Sequence, residues 1–137
     1  MIMLCEKFEK MMREEYEPLL VRCIANDILE RRPSSSGSMI YYVGANMNKA
    51  TGAIPDYIGH HWLLIVNRSV PKIEIWEQRI KTDQNTEVIK PYYMDRPYTG
   101  FSNTYRREDN IRQKLDEFSM FLHEVFQVLL EKGIEIR

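Results

Sequence analysis

The stretch HHWLLIVNRSVPKIEIWEQRI (60–80) predicts a β-hairpin, and the hairpin decides the fold class. Residues 60–67 form a nearly continuous apolar run, and residues 72–80 alternate between apolar and polar side chains. Both patterns are typical of β-strands. The RSVP stretch between them suits a turn, because its proline fixes its own φ and its serine can hydrogen-bond locally. Strands joined by so short a connection run antiparallel.

Further strands are predicted on both sides of the hairpin. Residues 39–45 (MIYYVGA) are β-branched and aromatic, and residues 86–94 (TEVIKPYYM) are predicted to form an edge strand. Pro91 would remove a ladder hydrogen bond from a central strand, which is why the edge is expected. The sheet then occupies about residues 39–94, with 46–59 as a loop. PSSSGS (33–38) is predicted to be a short flexible connection.

Amphipathic helices are predicted at both ends of the chain. Apolar side chains recur at helical spacing over residues 2–32, where Pro18 indicates a kink or a fresh start near Glu17. A second helix is predicted over residues 108–132, with Gly133 just past its end. Its apolar residues repeat every three or four positions: Ile111, Leu115, Phe118, Leu122, Val125 and Leu129. They are expected to pack on the domain's own sheet; the alternative is a seam between two copies in a homodimer.

These elements predict a single α+β domain over residues 1–137, a small antiparallel sheet of about four strands flanked by N- and C-terminal helices. The length of 137 residues and the 44% hydrophobic content are ordinary for one globular domain. The net charge of -1 argues against duplex DNA or an anionic membrane as a partner. No apolar run is long enough to span a bilayer.

The two cysteines favour a reducing compartment. Cys5 and Cys23 lie in the same helical stretch, too far apart for a disulfide and without metal-ligand spacing. They are predicted to be buried, reduced thiols in a cytoplasmic or nuclear protein. No cofactor and no metal site is predicted.

An aromatic and basic loop over residues 92–107 is the main candidate binding site. Aromatic and arginine side chains concentrate in binding hot spots, because they give large contact areas with a polar end. The candidate residues are Tyr92, Tyr93, Arg96, Tyr98, Phe101, Tyr105, Arg106 and Arg107. A protein partner is expected. The alternative is single-stranded nucleic acid or phosphate, held by stacking and by guanidinium groups, while some of the rings could simply cover the sheet.

A second candidate lies in the hairpin itself. If the turn centres near Val70, residues whose numbers sum to about 138 to 140 face each other. Glu77 is then opposite His61 or Trp62. A carboxylate beside a histidine orients the ring and raises its basicity, which is one half of a catalytic triad.

His61-Trp62, followed by an apolar strand, a turn and Trp76-Glu77, resembles the signature of the SUMO-protease and adenoviral-protease cysteine peptidases. That family also carries a glutamine ahead of an Asp-Cys-Gly that opens a helix. The counterpart here is Gln113 to Ser119, with Phe118 at the nucleophile's position. The resemblance therefore implies a binding fold without peptidase activity.

Carboxylates near the hairpin give a last alternative, a metal-dependent hydrolase. Asp56 and Asp83, with His60, could bind Mg²⁺ or Mn²⁺. Such clusters are more often solvated loop ends, and no catalytic residue is assigned. The sequence thus favours a non-catalytic interaction module, a small subunit or adaptor, over an enzyme.

Overall fold

The computed structural model describes residues 3–51, 59–79 and 101–137, apart from the side chains of residues 48, 51, 59–62, 77–79, 101 and 102. The strands are β1 (Leu29–Pro33), β2 (Ser38–Val43), β3 (Gly59–Asn67), β4 (Lys72–Arg79) and β5 (Phe101–Tyr105). The helices are α1 (Cys5–Met11), α2 (Glu17–Ala25), α3 (Ala45–Thr51) and α4 (Glu108–Glu131). This architecture confirms the α+β fold class, and the described residues contain five strands where about four were expected.

The five strands form one antiparallel sheet in the order β1-β2-β3-β4-β5. The predicted hairpin is present as β3 and β4, and its register pairs Asn67 with Lys72 across the turn. The register shifts between His61 and Leu63, which makes Trp62 the extra residue of a β-bulge. Among the described strands, the spatial order is the same as the order along the chain.

One face of the sheet carries the hydrophobic core. Alternate strand residues are buried there: Tyr41, Val43, Leu64, Val66, Ile73 and Ile75. Helix α4 packs on β3 and β4. All six periodic residues of α4 are at most 1% exposed. The prediction that this helix packs on the domain's own sheet is confirmed.

Pro18 shapes the N-terminal helix as the sequence predicts. A proline cannot donate to the carbonyl four residues earlier, and its ring clashes with that carbonyl. The chain accommodates this with a π-helical segment (Met12–Tyr16), after which α2 begins at Glu17. Tyr16 Oη donates to Asp116 Oδ1 over 2.7 Å. Burial, together with this bond, raises the pKa of Tyr16, and the contact ties the widened turn to α4.

The N-terminal helix also contacts the β3–β4 turn. Arg68 forms ion pairs with Glu9 of α1, over 2.9 Å, and with Glu17 of α2. Cys5 Sγ donates to the carbonyl of Ser69 over 3.6 Å. Contacts on both sides of the π-helical segment therefore hold the helix against the hairpin.

The predicted helix over residues 2–32 is wrong at its C-terminal end. Helix α2 ends at Ala25, and Asp27 adopts a positive φ of 58°. The Ile28 N–H donates to the Cys23 carbonyl over 2.9 Å and the Asp27 N–H to the Ile24 carbonyl over 3.2 Å. This is the Schellman pattern that ends helices, and it turns the chain into β1.

Other boundaries differ as well. The predicted connection 33–38 is shorter in the structure: Pro33 ends β1, Ser38 begins β2, and residues 34–37 form the hairpin turn, closed by a Ser34 N–H to Ser38 carbonyl hydrogen bond of 2.7 Å. Part of the predicted loop 46–59 belongs to α3. The predicted strand 86–94 lies outside the described residues. Residues 101–105, predicted as part of a loop, form β5 because they pair with β4.

The two cysteines are free, as predicted, but only Cys23 is buried. Burial raises the pKa of the Cys23 thiol to about 12, so it stays protonated near neutral pH. Cys5 is exposed, which corrects the prediction that both thiols are buried.

Candidate partner-binding edge

The structure locates only half of the predicted binding residues. Phe101 and Tyr105 are the first and last residues of β5, and Arg106 and Arg107 lead from it into α4. The other four, Tyr92, Tyr93, Arg96 and Tyr98, lie outside the described residues. Within the described part, the candidate site is therefore a strand and its basic extension instead of a loop.

β5 lies at one end of the sheet. Among the described residues its only strand neighbour is β4, from the pair Glu77 and Phe101 to the pair Ile73 and Tyr105. Asn103 and Thr104 are exposed. The five residues FSNTY contain no charge and no proline. Charged residues and proline commonly protect an edge strand from pairing with another chain, and β5 lacks both.

β1, at the opposite end of the sheet, has the protection that β5 lacks. Three of its five residues, Glu30, Arg31 and Arg32, are charged and exposed, and the strand ends at Pro33. Proline removes a donor, and charged side chains disfavour a second strand. Within the described residues, the two edge strands thus differ in charge and in proline content.

Tyr105 anchors β5 to the body of the protein. Its ring is half-buried and packs against the hydrophobic core. The Lys114 ammonium lies 5.6 Å from the ring centroid, within cation–π range. Because the core and Lys114 both contact this ring, Tyr105 positions the strand and is a poor platform for stacking a nucleic-acid base.

Arg106 and Arg107 are exposed at the end of β5. Arg107 Nε lies 3.8 Å from Asp109 Oδ1, and both side chains are mostly exposed. Such a surface pair stabilises a protein little. Arg106 has no ion pair within the described part of the chain. Both arginines are therefore accessible to a ligand.

The hairpin candidate has its predicted backbone register. Glu77 is paired with His61, one of the two positions expected for it. The side chains of both residues lie outside what the structure describes. No group of three potential metal ligands occurs among the described residues, and Asp56 and Asp83 lie outside them.

The helical part of the peptidase resemblance does not fit. In that resemblance the nucleophile's position opens a helix, whereas Phe118 lies ten residues after the start of α4. Its side chain is only 1% exposed and belongs to the core. The residue at the nucleophile's position is thus a packing residue.

Sequence reasoning missed a groove on the face of the sheet opposite the core. It has a volume of about 220 Å³ and is lined by Ser34, Ser36, Ser38, Ile40, Ile65, Asn67, Lys72 and Glu74. The alternation of β2 and β3 places Ile40 and Ile65 at its base. The sequence signal for this groove was the continuous apolar run of β3, which places apolar side chains on both faces of the sheet.

Comparisons with protein-family models, with curated proteins and with solved structures gave no match. Within the described ranges, no helix combines the length and apolar character needed to cross a bilayer.

Proposed function

We propose that this protein is a non-catalytic interaction module, a subunit or adaptor that accepts an extended segment of a partner protein alongside β5. The observation that carries the proposal is the contrast between the edges of the sheet. β1 is charged and ends in proline, whereas β5 is uncharged and free of proline. When only one of the two edge strands carries protective charges and proline, the other edge strand is the one expected to pair with a partner.

Strand addition would divide affinity and selectivity between two groups of contacts. Main-chain hydrogen bonds to an edge strand supply affinity without depending strongly on the partner's sequence. Arg106 and Arg107 would add selectivity, because guanidinium groups bind carboxylates with two parallel hydrogen bonds. The expected partner segment is therefore extended and carries acidic residues that can reach the end of β5.

The nucleic-acid alternative uses the same segment in another way. It requires aromatic rings that are free to stack on bases. The Tyr105 ring contacts the core and Lys114. Because it is not free to stack on a base, it does not support nucleic-acid binding. The described residues also give no support to a metal-dependent hydrolase.

A homodimer remains a second form of the interaction. The periodic residues of α4 are used inside one chain, so they are not free to form the predicted seam. Two large apolar side chains of α4, Met120 and Leu130, are 65% and 56% exposed. A contact between two copies through this helix would use that outer face.

Peptide selection on the full chain tests the proposal. Peptides selected from a random display library would be synthesised with N-methyl groups at single positions, and their affinities measured. Pairing along β5 predicts that N-methylation weakens binding at alternate positions, because successive main-chain groups of a strand point to opposite sides. Uniform sensitivity, or none, would argue against strand addition.

Matched variants locate the pairing edge. The double change Asn103→Glu and Thr104→Glu should weaken peptide binding by at least ~10-fold, equivalent to ~1.4 kcal/mol, because charge on an edge strand opposes pairing and the added carboxylates repel an acidic partner. Arg31→Glu, which changes the charge of β1 by the same amount, should leave peptide binding unaltered. Equal losses at both edges would reject β5 as the site.

Binding of single-stranded oligonucleotides, measured at low and high salt, tests the nucleic-acid alternative. Binding of single-stranded DNA or RNA that falls steeply with salt and is lost in the Arg106→Ala, Arg107→Ala double variant would replace the proposal. The proposal expects no such binding.

A further inference from the structure

The turn between β1 and β2 presents three serines directly after two arginines, in the order Arg31-Arg32-Pro33-Ser34-Ser35-Ser36. Both arginines are exposed, and so are Ser35 and Ser36. Serine kinases that favour basic substrates bind an arginine about three residues before the acceptor, pairing its guanidinium with their carboxylates. Arg31 has this offset from Ser34, and Arg32 has it from Ser35.

The serine hydroxyls differ in their hydrogen bonding. Ser34 Oγ accepts the Ser38 N–H over 3.1 Å and lies 2.9 Å from Ser36 Oγ. Ser34 and Ser36 thus take part in the internal bonding of the turn. Ser35 Oγ forms no hydrogen bond within the described residues. It is the hydroxyl that another protein can reach without breaking the turn.

The guanidinium groups before the turn are also accessible. Neither Arg31 nor Arg32 has an ion pair within the described part of the chain. The Arg32 guanidinium lies 5.6 Å from the Tyr42 ring centroid, and each guanidinium also hydrogen-bonds a tyrosine side chain, Arg31 that of Tyr41 and Arg32 that of Tyr42. A guanidinium has five N–H donors, so each arginine keeps donors for a second partner. Among the described strands, β1 pairs only with β2, so its other side faces outward.

The surroundings of the turn can accommodate a phosphate. The groove beside it is lined by Ser34, Ser36 and Lys72, with Glu74 as its acidic member. Lys72 has no ion pair within the described ranges. Ser35 lies between two residues that line this groove, and Arg32 pairs with Ile40, a third lining residue. A phosphoserine adds ≈ −1.5 to −2 charge, which Arg32 and Lys72, the cations on this face of the sheet, would partly offset.

We propose that Ser35 is a phosphorylation site for a serine kinase that requires arginine three residues before its acceptor. The Ser35 oxygen attacks the γ-phosphorus of ATP, and the bond from that phosphorus to the β–γ bridging oxygen breaks. ADP leaves with the bond's electron pair, and the hydroxyl proton passes to the kinase's catalytic carboxylate. This inference does not depend on the interaction proposed for β5.

The test is phosphorylation of the full chain by a purified kinase with that requirement, in the presence of ATP, followed by mass spectrometry. Phosphate is expected on Ser35. Ser35→Ala should abolish the main product, whereas Ser34→Ala should retain it. Arg32→Ala should lower the initial rate at least ~10-fold, since charged hydrogen bonds of this type contribute ~1.5–3 kcal/mol.

The chain contains its own controls. Ser69 is exposed in the other hairpin turn. It follows Arg68, which Glu9 and Glu17 hold, and it should stay unmodified. Arg13→Ala, at an exposed arginine of the π-helical segment, should leave the rate unchanged. Phosphate on Ser34 instead of Ser35, equal modification of Ser69, or no phosphate on residues 34–36 would each overturn the assignment.

Discussion

The two edge strands occupy equivalent places in one sheet but differ in charge and in attachment. β1 begins at Leu29, which is buried, and continues through three exposed charged residues to Pro33. β5 carries no charge, and Tyr105, its half-buried anchor among the described side chains, stands at its end. Charge and proline close an edge to further pairing. This contrast is the reason why we propose β5, and not β1, as the edge that binds a partner.

The attachment of β1 is reinforced where α2 turns into it. The Gly44 N–H donates to the Ile28 carbonyl over 2.8 Å, and the Asn46 N–H to the Asp27 carbonyl over 2.9 Å. A Cβ on Gly44 would overlap the Asp27 carbonyl oxygen. Backbone from the end of α2 and from the end of β2 is thus packed too closely for any larger residue.

Loss of the β1 anchor should give the largest effect. Leu29→Ala is expected to lower the free energy of unfolding by about 3 kcal/mol, because a fully buried leucine is replaced by a cavity. Urea unfolding followed by circular dichroism measures it. Val70→Ala, at a residue 57% exposed, is the control and should stay within ~0.5 kcal/mol of wild type. A loss below ~1 kcal/mol would mean that β1 is not firmly attached.

The close approach at Gly44 should give the next largest effect. Gly44→Ala is expected to cost about 2 kcal/mol, because the added methyl group forces two backbone segments apart. Gly37→Ala is the comparison, since Gly37 has a φ of 82° but open space around its Cα. Its cost should be about 1 kcal/mol from backbone strain alone. Thermal unfolding of the two variants should rank them in this order, and the reverse order would refute the argument.

Loss of the β5 anchor should cost less. Tyr105→Ala is expected to lower stability by about 1.5 kcal/mol, because the ring is half-buried and a full burial contributes ~1.5–3 kcal/mol. Tyr105→Phe keeps the ring under Lys114 and should change stability by less than ~0.5 kcal/mol. A Tyr105→Ala effect as large as that of Leu29→Ala, in the same urea assay, would remove the contrast in attachment.

The smallest effect concerns the charged surface of β1. Burial and the 2.7 Å hydrogen bond to Glu30 raise the pKa of Tyr42. An unfolded tyrosine titrates near ~10. The protonated Tyr42 hydroxyl, buried and bonded to Glu30, therefore contributes fully to the free energy of unfolding below about pH 10. This contribution is lost as pH rises through the pKa of Tyr42 in the folded protein.

Glu30→Gln should bring the Tyr42 pKa closer to its ordinary value. Above about pH 10 the variant should lose stability less steeply than wild type, by less than ~1 kcal/mol in total. Urea midpoints on both sides of that pH measure how steeply stability falls with pH. Tyr42→Phe removes the titrating hydroxyl and therefore gives the smallest slope expected. Identical slopes in wild type and Glu30→Gln would show that the carboxylate does not affect Tyr42.

Much of the fold was predictable because its signals are local. The apolar period of α4, Gly133 after it and the RSVP turn each specify a structure through neighbouring residues. At the end of α4 the Gly133 N–H donates to the Leu130 carbonyl and the Ile134 N–H to the Leu129 carbonyl, both over 3.0 Å. Even the pairing of His61 with Glu77 follows from the turn position.

The edge strands were not predictable in the same way. Residues 29–33 contain Leu, Glu and Arg, all good helix formers, and they follow a helix directly. Asn26 and Asp27 were the missed signal, because these residue types tolerate the conformation that ends a helix. β5 lay unrecognised in an aromatic and basic segment, since Ser102 and Asn103 are typical of turns and interrupt the strand-forming residues Phe101, Thr104 and Tyr105.

The sequence by itself determined the α+β class, the β3–β4 hairpin and its register, and the C-terminal helix with its buried stripe, because these depend on residues close in the chain. Only the tertiary structure decided that residues 29–33 and 101–105 are strands and that they form opposite ends of the sheet. Strand pairing is a contact between distant segments: β2 makes β1 a strand, and β4 makes β5 one. The physical reason is that a main-chain hydrogen bond to a neighbouring strand can outweigh the weak intrinsic preference of a five-residue segment.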